Sequence, residues 1–292
     1  MRGRVLQNRP VAAAAAAISC LFVTAAESQA AERQRPFAWS GHEYNQQELP
    51  ERSIFPSDTF TFCRIRYTSY GEHPTYNRRG RWMIDYPESD EHFSWRLSEL
   101  TNVNVARTPN GGFKHVVLSL TDPNLFDYPF IYIIEPGALV FSDEEAAALR
   151  EYLLRGGFLM VDDFWGEEEW SNWVVEFSRV FSPLEYPMEE LPLTHPIFNC
   201  VFELKEKPQV PSAWFWMSSG KQTSERGRES AVPKYRGVVD PRTNRLMAVI
   251  CHNTDLGDGW EREGENEMYF NEISARKAYP MGINIVVYAL TH

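Results

Sequence analysis

Cysteine is scarce: the 292 residues hold four, and one of them, Cys20, falls in an N-terminal apolar stretch. Cys63, Cys200 and Cys251 remain, so beyond that stretch at most one disulfide can form and a disulfide-stapled scaffold is excluded. No Cys-x-x-Cys spacing occurs, which removes a zinc ribbon. Catalytic signatures are missing too: there is no Gly-x-Ser-x-Gly, no Walker-type phosphate loop, no Gly-x-Gly-x-x-Gly and no His-Glu-x-x-His. Positive charge is also short. Lys and Arg number 29 against 40 Asp and Glu, a net charge of −11, which argues against a nucleic-acid binder. After residue 30 no apolar run approaches the ~20 residues that a membrane-spanning helix needs.

What is present is the material of a folded core. The chain is 43% hydrophobic and 14% aromatic, too apolar for a disordered segment and long enough for one large domain or two small ones. The first thirty residues read as a signal peptide. Arg2, Arg4 and Arg9 form a basic start, residues 11–23 are Ala-rich and apolar, and Ser28-Gln29-Ala30 is a small-x-small cleavage site. The expectation is an exported, periplasmic or extracellular protein. Cleavage would remove those arginines with Glu27 and leave an even more acidic chain, suited to solubility rather than to anionic membranes. Residues 31–56 are polar, lack periodicity and carry Pro50 and Pro56, so an extended or partly disordered lead-in is expected before a domain over 57–292.

Within that domain the patterning alternates between strand and helix. A strand is predicted around Phe62–Tyr67, then a helix from a cap at Ser89 or Asp90 to about Thr101, then a short strand at Val116–Leu120. Phe130–Ile134 is an unbroken apolar run, as in a parallel strand buried on both faces. Ser142-Asp143-Glu144-Glu145 is a capping box opening a helix with Ala146, Leu149, Tyr152 and Leu153 on its apolar side. Gly156 stands where a left-handed residue closes that helix, and Phe158–Val161 is the next strand. This is a βαβ unit with a right-handed crossover. A second helix follows over Glu167–Phe181, then short strands at Cys200–Leu204 and Ala213–Met217. Residues 220–245 read as a polar loop with seven basic residues against three acidic ones. Leu246–Cys251 is another buried strand, Thr254–Glu265 reads as loop, and the segment after Pro280 suits a terminal helix or a strand equally. The sum is an α/β fold with a mostly parallel sheet.

In such sheets ligands bind beyond the carboxyl ends of the strands. Asp162-Asp163 and His252-Asn253-x-Asp255 fall there, with Arg66-Tyr67 after the first strand. Asp85, Asp90 and His195 lie on loops able to join them. Asp162, Asp163, His252 and Asp255 are the candidate catalytic residues, since carboxylates and an imidazole together can hold a divalent metal and activate water. Their spacing matches no metal motif. The plainer alternative is that an aspartate caps the next helix and His252 bonds backbone. Cys251 resembles a nucleophile elbow only weakly, because Asn253 stands where the elbow needs glycine.

A longer pattern runs through the chain: Phe62-x-Arg64-x-x-Tyr67, Trp82-x-x-Asp85-Tyr86-Pro87-x-x-Asp90, Leu149-x-x-Tyr152-Leu153-x-x-Gly156-Gly157-Phe158, Asp162-Asp163, His195-Pro196-Ile197-Phe198, His252-Asn253-x-Asp255 and Gly282-x-Asn284. In this order, over about residues 57 to 292, it resembles the DUF4159 family, a bacterial domain of unknown function. The resemblance implies a flavodoxin-like three-layer sandwich, similar to the class I glutamine-amidotransferase-like superfamily, and it implies no activity. The amidotransferase Cys elbow does not carry over. Arg64, Arg66, Tyr67, Asp85, Asp90, His195 and Asn253 are the candidate binding residues. The leading expectation is a non-catalytic envelope domain that binds a small molecule or an envelope protein. The alternatives are a hydrolase using the acidic and His cluster, with a divalent metal as its possible cofactor, and a Cys251-dependent amidase. No motif implies any other cofactor.

Overall fold

The computed structural model describes residues 59–70 and 80–292. The signal peptide and lead-in expected over residues 1–56 lie outside these. Seven strands form one sheet in the order β3-β1-β4-β6-β9-β8-β7. They are β1 (Phe62–Ile65), β3 (His115–Leu118), β4 (Phe130–Ile134), β6 (Phe158–Asp162), β7 (Met188–Glu190), β8 (Lys234–Val239) and β9 (Leu246–His252). Strands β3 to β9 in that order pair in parallel, and β8 and β7 are antiparallel additions at one edge. Two short strands, β2 (Thr68–Ser69) and β5 (Leu139–Val140), pair separately.

Helices cover both faces, giving three layers. On one side α1 (Glu88–Leu100), α5 (Leu256–Glu261) and α7 (Tyr279–Thr291) pack Phe93, Trp260 and Ile283 against Phe62, Tyr132 and Val249 of the sheet. On the other, α2 (Asp143–Leu154) and α3 (Gly166–Val180) pack Leu149, Leu153 and Trp173 against Ile131, Ile133 and Val161. Alternate residues of β4 therefore serve two cores, which is why its sequence is apolar throughout. The predicted βαβ unit is β4-α2-β6. Its capping box is intact, with Ser142 Oγ accepting from Glu145 N and Glu145 Oε2 from Ser142 N. Gly156 closes the helix at φ 112°. The segment after Pro280 is helix α7, reached through a π-helical stretch, Phe270–Ala278.

Five local expectations are corrected. Ala213–Met217 is not a strand but the start of helix α4 (Ala213–Ser218). Its first amides are claimed by acceptors, Ser212 Oγ for Phe215 N and Asp258 Oδ1 for Ala213 N, which favours a helical turn. Cys200–Leu204 forms no strand, because Asn284 Oδ1 accepts from Val201 N and Phe202 N and its Nδ2 donates to Phe202 O. The basic loop hides β8, in which Tyr235 and Val238 turn inward while Lys234 and Arg236 alternate outward. Thr254–Glu265 holds helix α5, capped by Asp255 Oδ1 on Asp258 N at 2.7 Å. Ser89 and Asp90 lie inside α1 rather than capping it.

The chain reverses direction across the sheet between β1 and β4: β1 leads outward to β3, while β4 leads the other way to β6 and β9. That switch point is where such a sheet opens a crevice at its carboxyl ends.

Candidate functional site

The crevice is a cavity of about 490 Å³ lined by residues that follow those strand ends. Asp85 comes from the loop before α1, Glu135 follows β4, Asp163 follows β6, and Asp255 follows β9. Glu169 of α3, Glu225, and Asp258 of α5 complete an acidic wall, and Arg81 and Arg226 are its cationic members. Four residues here and next to it, Asp85, Glu135, Asp163 and Asn253, hold positive φ of 62°, 47°, 55° and 61°. Non-glycine residues in that region cluster at functional sites.

Asp85, Asp163 and Asp255 each offer a carboxylate oxygen, and the three atoms lie within 4.8 Å of one another. That is the separation of oxygens sharing one cation bound at ~2.1–2.5 Å. Two of the three side chains are anchored. Trp165 Nε1 donates to Asp163 Oδ1 at 3.1 Å, and Asp258 N to Asp255 Oδ1. Asp85 has the opposite character: its Oδ2 is shut off from solvent and has no hydrogen-bond partner. Room for it depends on Gly257, where a Cβ would stand 2.6 Å from Asp85 Oδ2.

The loop bearing Asp85 is held from below by Arg64. This guanidinium is wholly buried and pairs with Asp90, donates to Ser89 Oγ, and donates to the carbonyls of Trp82 and Ile84 at 3.1 and 3.0 Å. Burial works against its charge, but Asp90 outweighs that and raises its pKa. The candidate binding residues Arg64 and Asp90 are thus a framework under the site. Tyr67 belongs to the same framework, donating to the carbonyls of Ile134 and Glu135.

Crowded and largely desolvated, the carboxyls resist ionisation. Burial pushes Asp85 well up, with Asp258 and Glu261 adding to it. It does the same for Asp163, helped by Glu135 and Asp85, and for Asp255, helped by Asp163 and Asp85. Burial raises Glu135 to about 7 against the pull of Arg81, and Asp258 to about 6. A cation among Asp85, Asp163 and Asp255 would oppose these shifts by favouring the ionised carboxylates.

The remaining candidates sit elsewhere. Asp162 is wholly buried beneath the cavity, its Oδ2 accepting from Tyr132 Oη at 3.1 Å and Gly257 N at 3.0 Å, and burial lifts its pKa to about 7. Neither Asp162 nor Asp163 caps α3, whose N-cap is Trp165. His252 is not with the aspartates. Its ring packs against both Phe164 and Trp170, Nε2 faces Gly166 O at 3.0 Å, and Nδ1 faces Arg236. With Arg236 donating, Nδ1 accepts and Nε2 carries the proton; burial drives this imidazole down to about 4. Asn253 is a turn residue whose Oδ1 accepts from Gly166 N. Arg66 is exposed on the strand-end side of β1 and does not line the cavity. His195 caps a 3-10 turn through Ile197 N, far along the chain from the site residues and packed on Tyr288. Cys251 is fully buried in the core, and burial pushes its thiol well up, the reverse of an activated nucleophile. All three cysteines among the described residues are free.

Sequence reasoning overlooked Glu135, Glu169, Glu225 and Arg81; it met Arg226 only as part of the basic segment and Asp258 only in Asp255-Leu256-Gly257-Asp258-Gly259, a run that hints at calcium but lacks the ligand order of a calcium loop. Glu135 could have been found, since it directly follows the most apolar strand of the chain. Asp258 needed helix α5, which places it one turn after Asp255.

Fold and cavity together define an α/β sandwich with a carboxylate-lined crevice at the switch point of a mostly parallel sheet. The family model described as "Domain of unknown function (DUF4159)" matches residues 61–290, and the chain belongs to that family. No curated protein matches it. Among the described residues no helix is long and apolar enough to cross a membrane.

Proposed function

We propose that this protein is an exported domain that binds a divalent cation at Asp85, Asp163 and Asp255 and, through it, a small anionic ligand. The observation that carries the reading is the convergence of three carboxylate oxygens within 4.8 Å, from three separate loops, two of which follow β6 and β9. An all-oxygen set of this kind suits a hard cation such as Mg²⁺, Mn²⁺ or Ca²⁺. Arg81 and Arg226 support the anionic ligand. Both line the cavity, are 40% and 55% exposed, and reach Glu135 and Glu169 only at 3.3 Å, so both can turn to a ligand. A cation bound to the wall would give an anion a positive partner, and Arg81 and Arg226 would add to it.

A hydrolytic version of this reading draws on Glu135. A carboxyl poised at about 7 on the cavity wall can take a proton from a cation-held water.

Thermal melting tests the cation site. The full chain in EDTA is compared with the chain in millimolar Mg²⁺, Mn²⁺ or Ca²⁺. At a hundredfold excess over Kd, binding contributes about 2.7 kcal/mol, a rise in Tm of roughly 5–10 °C for a domain of this size. Asp163→Asn should fold and lose that rise. A wild-type Tm unmoved by all three ions, or an Asp163→Asn variant that responds fully, overturns the reading. Export rests on the basic, apolar and small-x-small segments of residues 1–30. N-terminal sequencing of the protein from its native host should begin at Ala31, and a chain beginning at Met1 would overturn it.

A further inference from the structure

The structure holds a second carboxylate group that shares a member with the first. We infer that Asp85 bridges two divalent cations, the second being held by Asp258 and Glu261. The inference rests on the cation site proposed above and extends it to a binuclear centre.

Oxygens of Asp85, Asp258 and Glu261 also lie within 4.8 Å of one another. Asp258 and Glu261 are three residues apart on α5, so one helical face presents both. The helix is fixed at the right height from two sides: Asp255 caps it, and Gly257 N donates to Asp162. Asp258 is fixed in turn, its Oδ1 accepting from Ala213 N at 2.9 Å and from Tyr269 Oη at 3.5 Å. Glu261 approaches Arg262 Nε at 2.7 Å, a neighbour whose side chain is 39% exposed and free to swing out when a cation arrives.

Asp85 decides the argument. It belongs to both groups, and its Oδ2 is buried with no hydrogen-bond partner among the described residues. A buried, unpartnered carboxylate oxygen is costly unless something positive meets it. A carboxylate common to both groups could serve two cations, as in two-metal sites with ions ~3.5–4 Å apart. Two adjacent cations clamp the two oxygens of one anionic group, which suits a carboxylate or phosphate entering between Arg81 and Arg226.

Mn²⁺ binding to the full chain tests this, with equilibrium dialysis for stoichiometry and electron paramagnetic resonance for coupling. Wild type should bind two Mn²⁺ per chain and give a spin-coupled spectrum. Glu261→Gln, at a partly exposed helix end, should keep its circular dichroism, bind one Mn²⁺ and give an uncoupled six-line signal. One ion per wild-type chain, with Glu261→Gln identical, overturns the second site and leaves the single-cation reading standing. Two ions without coupling overturn the bridge. No binding at all overturns both readings.

Discussion

Arg64 shows how a residue can matter to a site it does not touch. Its guanidinium has zero exposure, and so does its partner Asp90. Two further donations, to the carbonyls of Trp82 and Ile84, pin the segment that ends in Asp85. Arg64→Met leaves Asp90 charged and buried alone, and breaking such a pair costs about 3–5 kcal/mol. The double variant Arg64→Met/Asp90→Leu removes the orphaned charge and should recover most of that loss, because a buried pair is often replaced by apolar groups at little net cost. The two carbonyls stay unclaimed in the double variant, so its Mn²⁺ affinity should remain at least tenfold below wild type. Urea unfolding and Mn²⁺ titration of the same samples check both halves. A double variant with wild-type affinity would mean that Arg64 holds the fold but not Asp85. The sequence marks Arg64 and Asp90 only as polar members of a family pattern, because pairing across 26 residues leaves no local signature. Asp163 and Asp255 were legible by their place after apolar runs. His252 was misleading for the same reason: it too ends a strand, but neighbouring strand residues face opposite sides, and its ring faces α3 while Cys251 faces the opposite core.

Elements with strong local chemistry were readable, and elements built by distant acceptors were not. The capping box of α2, the left-handed Gly156 and the apolar runs of β4, β6 and β9 carry their structure within a few residues, and each appears where the pattern put it. Helix α4 does not: AWFWMS is a short apolar run that suits a buried strand, and its first turn is set by Asp258 and Glu225, which accept from Ala213 N and Ser212 N across the fold. Helix α5 was hidden by its two glycines, which locally favour loop. Its position is tertiary, since Gly257 exists there to let Asp85 approach and its amide is held by Asp162. That mattered for function. Reading α5 as loop separated Asp255 from Asp258 and Glu261 and concealed the fact that one short helix delivers three of the site's carboxylates. Strand β8 was masked by charge: its alternation is regular, but Lys234 and Arg236 made it look like part of a solvated loop.

At the scale of the whole molecule, the site should set how stability depends on pH. The chain is acidic, at net −11, and it concentrates carboxyls where burial opposes their ionisation. A carboxyl whose folded pKa is raised binds more protons folded than unfolded, so it favours the folded state at low pH and loses that effect as pH rises toward the folded value. Glu135 and Asp162, both at about 7, place this loss between about pH 4 and 7, and Asp85, Asp163 and Asp255, raised by burial, act in the same direction. His252 acts in the opposite sense. Its folded pKa of about 4 means that protonation favours the unfolded chain, so its contribution is complete only above about pH 6.5. Above pH 6.5 the imidazole's contribution to the slope fades, and the raised carboxyls outweigh it. In EDTA the Tm should therefore fall steadily from pH 6.5 to 8. With saturating Mn²⁺ it should stay level or rise, because a bound cation neutralises the same carboxylates and competes with their protons. Melting curves at half-unit steps with and without Mn²⁺ measure both slopes. A metal-free Tm that is flat or rises over this interval would show that the cavity carboxyls ionise freely, and the electrostatic basis of the cation site would go with it.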